Sequence, residues 1–315
     1  MNKFKTKKLA VAAILFFVLA SALFLAKPAA AQTTLPTITI QQDGNISPNT
    51  AAIHQSGNTY TFTTDIYGAI NILRSNIVID GAGYTLQGSF NGNKTDIWVV
   101  GTGPDPTMAY YTIGVDLGSS TVGGVTVENL NVENFSIGMY IWTKNNTIVG
   151  NDLSGCIVGL LMSGSNSTIS RNYISCNIEG LFFGFNSPSG QFPPDMVVYQ
   201  NAFLKNNVQI SGCQCKSYNM SETLHNWDKG KIGNYWSDYN GTDSNHDGVG
   251  DSPYIIDPLD KDSYPLMQIP VKPPLPAIKT PELPVVLEAA VLGISVSAVS
   301  VSAVFAANRR RRLKA

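Results

Sequence analysis

The sequence predicts an all-β chain whose body is a right-handed parallel β-helix. Three observations carry this. Four segments, IGVDL at 113–117, IGMYI at 137–141, VGLLM at 158–162 and EGLFF at 179–183, share Gly at the second place and begin 24, 21 and 21 residues apart. A second set starts at Val125, Thr147, Thr168 and Val197 and aligns Asn129, Asn151, Asn172 and Asn201. No stretch of the body sustains a 3.6-residue apolar period. A period near 21–24 with several short strands per repeat is that of a solenoid whose turns pair in parallel. Leucine-rich repeats have a similar period, but their L-x-x-L-x-L pattern is missing. The Asn column is structural, because stacked amides satisfy backbone groups in buried turns and bond to each other.

The elements follow in order. Residues 1–31 are basic, then apolar, then end in Ala29-Ala30-Ala31, the layout of a cleaved secretory signal. Residues 32–66 alternate and form an N-terminal β cap, and 67–218 are the coils. Within them, 90–112 is a Gly/Pro-bearing excursion and 187–195 a Pro/Gly-rich insertion. Residues 219–268 are an acidic and aromatic C-terminal cap. Six of the 16 residues in 269–284 are Pro, so 269–288 is a stiff stalk. Ala289–Ala307 is a 19-residue uncharged span, and 308–315 is a basic tail that stays cytoplasmic. The predicted location is therefore extracellular, at the cell surface, with a membrane anchor.

Charge agrees with this layout. The formal net of −1 hides five Lys in 1–31, five basic residues in 309–315, and a middle where 11 basic residues meet all 22 acids. An acidic exported body is not a nucleic-acid partner, since a polyanion needs a basic face.

Together with the repeats, NIVIDGAGYTLQG at 76–88 and GNYWSDYNGTDSNHDGVGDSPYIID at 233–257 resemble the NosD-like β-helix proteins, often called periplasmic copper-binding proteins. The chain is also similar to wider carbohydrate-binding and sugar-hydrolase β-helices with the pectin-lyase architecture. The resemblance spans roughly 35–267. It implies a fold and a surface location more firmly than an activity.

Candidate chemistry concentrates behind the coils. Asp243, Asn245, Asp247, the Val249 carbonyl and Asp251 follow the first part of a calcium loop, with Gly248 at the tight turn. The bidentate Glu expected at the twelfth place is Tyr254, so Asp257, Asp260, Asp262 or water must complete the shell. Calcium here would be structural. Trp227, Tyr235, Trp236, Tyr239, Tyr254 and Tyr264 surround this loop and cap the coil or stack on sugars. Copper is the weaker metal expectation. His54, His225 and His246 are scattered, and only Cys213 and Cys215 with His225 form a soft-ligand group. Cys156 and Cys176 hold nearly equivalent places in adjacent coils, which allows a bridge, although four Cys permit three pairings.

No catalytic residue is assigned. Asp116, Asp152 and Arg171 are the outward charges that a lyase or hydrolase could use, and scattered surface charge explains them as well. Seven N-x-S/T acceptors, at Asn45, Asn93, Asn134, Asn145, Asn166, Asn219 and Asn240, offer glycan attachment on an exported chain. The expected function is a membrane-anchored surface that binds glycans or envelope components. The alternatives are a carbohydrate lyase or hydrolase on the same coil and copper delivery.

Overall fold

A computed structural model describes residues 35–90, 112–119, 121–184, 195–212, 225–258 and 260–271. The signal, the span 289–307, the basic tail, most of the stalk, Cys213 and Cys215, and the acceptors Asn93 and Asn219 lie outside these residues. Among the described residues no helix is long and apolar enough to cross a membrane.

The described strands form a parallel β-helix with three sheets. The first runs through Ala69–Ile72, Ile113–Leu117, Ile137–Ile141, Val158–Met162, Glu179–Phe183 and Val208–Ser211. The second runs through Val78–Asp80, Thr126–Glu128, Thr147–Val149, Thr168–Ser170, Met196–Tyr199 and His225–Asn226. The third runs through Thr85–Gln87, Asn131–Glu133, Asp152–Ser154, Tyr173–Ser175, Ala202–Leu204 and Tyr235–Trp236. These strands, two to five residues long, alternate inward and outward side chains, and the inward apolar ones make one continuous core. The N-terminal cap is partly a first turn. Thr37–Ile40 pairs in parallel with Ala69–Ile72, while Ile46–Ser47 and Ile53–Ser56 add antiparallel edges. Antiparallel edge strands of this kind close a solenoid's open end.

Among the described residues between 121 and 212, all three corners obey one rule. A residue with positive φ makes the bend, and the next residue points inward. At the second-to-third corner the bends are Asn129 (φ 53°), Gly150 (69°), Arg171 (57°) and Gln200 (56°), and the inward residues are Leu130, Asn151, Asn172 and Asn201. Asn129 is therefore not part of the inner column. Its register mate is Gly150, Leu130 holds the inner place, and its Nδ2 donates outward to Asp80 (3.2 Å). Asn tolerates the left-handed bend as well as it fills an inner ladder, so the two positions look alike in sequence.

The same rule removes the predicted Cys156–Cys176 bridge. Cys176 (φ 55°) is a bend residue and exposed, whereas Cys156 is an inward residue and buried. The one-residue offset puts the two thiols on opposite sides of the wall, and both are free. Burial pushes the Cys156 thiol up to about 12.

Gly114, Gly138, Gly159 and Gly180 stack where the first sheet begins. A Cβ on Gly138 would lie 2.5 Å from the Gly159 carbonyl oxygen, and one on Gly159 would lie 2.8 Å from that of Gly180. The fixed spacing of paired strands, about 4.8 Å, leaves no slack to absorb this. Gly138→Val should destabilise the fold by about 3 kcal/mol, at the upper end of overpacking costs. Urea unfolding monitored by Trp fluorescence checks the value.

Candidate functional site

The buried Asn column is a directional chain. Asn151 donates its backbone N–H and Nδ2 to Asn172 Oδ1 (2.9 and 3.0 Å). Asn172 does the same to Asn201, and Asn201 to Asn234. Every step donates toward the C-terminal end. Asn234, outside the predicted column, then donates to Asp262 Oδ2, which also accepts Trp236 Nε1 at 2.9 Å. A second chain begins where Cys156 N–H donates to Asn177 Oδ1. It passes through Asn206 and Gln209 and ends on Asp238, 3.2 Å from Gln209 Nε2. Tyr254 also donates to Asp238. Both chains thus end on cap carboxylates. Part of the acidity of 238–262 closes these chains of donors.

The cap also stacks aromatic rings over the coil. Phe203, Trp236 and Tyr254 stack in series with nearly parallel rings, their centroids 4.5 and 4.2 Å apart. Trp227 and Trp236 are among the largest fully buried side chains. Beside them His225 Nδ1 lies 3.1 Å from Asp260 Oδ2, with both side chains almost fully buried. Phe183 stacks on the imidazole at 4.3 Å. His225 Nε2, Trp227 Nε1 and Asp260 Oδ1 are buried and have no hydrogen-bond partner.

The predicted calcium residues sit on an exposed loop. Asp243 accepts from the N–H groups of Asp247 (3.1 Å) and Gly248 (3.0 Å), and Asp247 Oδ1 accepts from Val249 N–H. Asn245 donates to Asp247 Oδ2. Asp251 accepts from Thr242 and twice from Ser244, and these bonds hold its carboxyl below the usual range. Asp257 accepts from Asp260 N–H in the neighbouring hairpin. Among the described residues no group of three His, Cys, Asp or Glu is gathered as a metal cluster.

The outer faces differ sharply. The first sheet carries a second apolar cluster of Ile137, Ile157, Val158, Leu161 and Phe182, with Tyr140 beside it. The second sheet carries an in-register row of Thr126, Thr147 and Thr168, flanked by Val78 and Val197. Next to that row Asp80 and Glu128 are register partners. Burial and the charge of Asp80 together hold the Glu128 carboxyl above its usual value. Sequence reading missed this pair because the excursion separates the two coils. Aligning VID at 78–80 with TVE at 126–128 would have revealed it. Asp116, Asp152 and Arg171 do not share a face. Asp116 is on the first sheet, Asp152 on the third, and Arg171 is a corner residue bonded to Gln200 (3.1 Å).

Copper needs imidazole or sulfur donors that meet. His54 and His246 are exposed and on separate elements, so they do not join His225. Inside the coil, however, Met196 is the register partner of His225, and both are buried. This His–Met register pair was not legible in the sequence.

A search of curated proteins finds no match. Residues 36–241, more than half of the chain, match the family described as "Periplasmic copper-binding protein (NosD)". With its three parallel sheets, its corner ladders and its aromatic end cap, the chain belongs to the NosD family.

Proposed function

We propose that the protein is an exported, membrane-anchored β-helix that binds an extended glycan along the outer face of its second sheet. The observation that carries this reading is the half-buried row Thr126, Thr147 and Thr168. Paired strands repeat every ~4.8 Å, so the row offers one hydroxyl and one methyl per rung at a pitch near that of a linear sugar chain. Tyr199, with Lys229 5.4 Å from its ring centroid, adds a flat apolar surface at the far end of the same face. The Asp80–Glu128 pair disfavours polyuronates. It also carries the hydrolase alternative, because adjacent carboxylates are the usual glycosidase machinery.

In this reading 1–31 directs export, 289–307 anchors the chain, and exposed acceptors such as Asn145 and Asn166 can carry glycans. Calcium at Asp243, Asn245, Asp247, Val249 and Asp251 would brace the cap, away from the binding face. A glycan-array screen of the full chain in detergent, with and without calcium, tests all of this. Binding to a neutral linear glycan should fall at least tenfold in the Thr126→Val, Thr147→Val, Thr168→Val variant, with unfolding temperature unchanged. Binding that survives in this variant would remove the face from consideration, and sugar release would favour the hydrolase. A melting temperature indifferent to calcium and to EDTA would end the calcium reading.

A further inference from the structure

We propose that Asn145 and Asn166 form one paired site of N-glycosylation, occupied by a single glycan per chain, which stands at the edge of the second sheet and screens its threonine row. The screening rests on the glycan-binding reading above; the attachment does not.

The N-x-S/T motif is read through the Asn amide and the hydroxyl two residues on, so both must be accessible. Five acceptors lie among the described residues, and three of them fail this condition. Asn45 donates its Nδ2 to Asp43 (2.7 Å), and Pro48 follows its hydroxyl residue. Asn134 is half-buried, and Ser136 Oγ accepts from Thr112 N–H (3.3 Å). Thr242, the hydroxyl residue for Asn240, donates to Asp251 (2.9 Å). Asn145 and Asn166 are exposed, and Thr147 and Thr168 are the half-buried first residues of their strands.

The fold makes these two acceptors one site. Both sit at the bend between the first and second sheets, with φ of 61° and 53°, a conformation that Asn tolerates. The residues after them, Asn146 and Ser167, point inward and are buried. Thr147 and Thr168 are register partners, so the two acceptors stack on adjacent rungs, about 4.8 Å apart. Their amides touch: Asn166 Nδ2 donates to Asn145 Oδ1 (2.6 Å). A pyranose ring is as wide as the rung spacing, so a first sugar on one amide covers the other.

Attachment joins one Nδ2 to the anomeric carbon of a sugar carried on a lipid-linked phosphate donor. The anomeric C–O bond to phosphate breaks, the lipid phosphate leaves, and Nδ2 gives one proton to the base of the transferase. When Asn166 is the residue modified, its remaining N–H can still donate to Asn145 Oδ1. Each acceptor precedes a threonine of the row by two residues, so the attached sugar begins beside the row and competes with an external chain for it.

Trypsin releases both acceptors on one peptide, residues 145–171, because Lys144 precedes it and Arg171 ends it. Mass spectrometry of the full chain from its native cells should find one glycan on this peptide and never two. Asn145→Gln should carry it on Asn166, Asn166→Gln should carry it on Asn145, and the double variant should be bare. Gln suits the bend, since Gln200 makes one like it (φ 56°). A bare parent peptide, or two glycans on one peptide, overturns the attachment. The double variant leaves every threonine of the row in place, so it separates screening from loss of the row. It should bind a neutral linear glycan roughly fivefold or more tighter than the glycosylated parent, because a tethered competitor acts at high effective concentration. Equal affinities overturn the screening. No binding by either protein removes the glycan-binding reading and the screening with it, while the peptide mass still decides the attachment.

Discussion

Asp262→Ala should cost about 3 kcal/mol or more, because it leaves several buried neutral donors without an acceptor, each at roughly 1–3 kcal/mol. Asp262 Oδ2 accepts from Asn234 N–H (2.7 Å), Asn234 Nδ2 and Trp236 Nε1, while Oδ1 accepts from Tyr264 N–H. Alanine would leave these buried donors facing a void at the end of the coil. Asp262→Asn keeps the shape and the Oδ2-side acceptor but turns an amide toward Tyr264 N–H. It should cost about 1–3 kcal/mol, the penalty for one unmet buried group. The pair also separates charge from hydrogen bonding through pH. Desolvation holds the Asp262 carboxyl above its ordinary 3.8, against the pull of its four donors. The folded state then binds the proton more tightly than the unfolded chain, so stability falls as pH rises from 3.8 through the raised value and levels off above it. Asp262→Asn should flatten that part of the profile. Thermal unfolding of both proteins between pH 4 and 8 measures the difference, and equal slopes would contradict it.

What the sequence reveals about this fold is its period. Gly in the second place of each repeat marks the close stack at the first sheet, and the recurring Asn marks a corner. Two things stay hidden. The first is phase. Asn129 and Asn151 look equivalent because a bend residue and an inward ladder residue favour the same side chain for different reasons. Only strand register shows that Leu130 matches Asn151. The Cys156 and Cys176 thiols fall on opposite sides of the wall for the same cause. The second is what the cap is for. Seven carboxylates in 238–262 read in sequence as a cation site. In the fold Asp238 and Asp262 end amide chains, and Asp260 faces His225. Polarity of a ladder is a three-dimensional property, and no residue spacing displays it. The Met196–His225 pair is hidden likewise, because 28 intervening residues lie between two side chains that the register sets opposite each other.

Asn172→Asp should be nearly as damaging as the loss of Asp262, although the two side chains are almost isosteric. Asn172 Oδ1 receives two donors from Asn151, and its Nδ2 donates to the Ile148 carbonyl (2.8 Å) and to Asn201 Oδ1 (3.0 Å). A carboxylate can accept but cannot donate. At this position the oxygen that replaces Nδ2 would face both the Ile148 carbonyl oxygen and the Asn201 amide oxygen, in a site with no exposure. The group must then either take up a proton or remain charged without compensation. We expect a loss of about 3 kcal/mol at pH 7, by the cost of an unpaired buried polar group that is also charged. The loss should shrink on acidification, because a protonated carboxyl can donate one of the two missing bonds. Stability of this variant should therefore rise as pH falls toward 4, the reverse of ordinary acid denaturation. At the end of the ladder there is no further amide to receive a donor, and the anion is the correct terminus. Aspartate is thus favourable at 262 and unfavourable at 172 for the same reason: the chain of amides runs one way. Chemical denaturation of the Asn172→Asp and Asn172→Ala proteins at two pH values decides the point, since a purely steric origin would make both variants insensitive to pH.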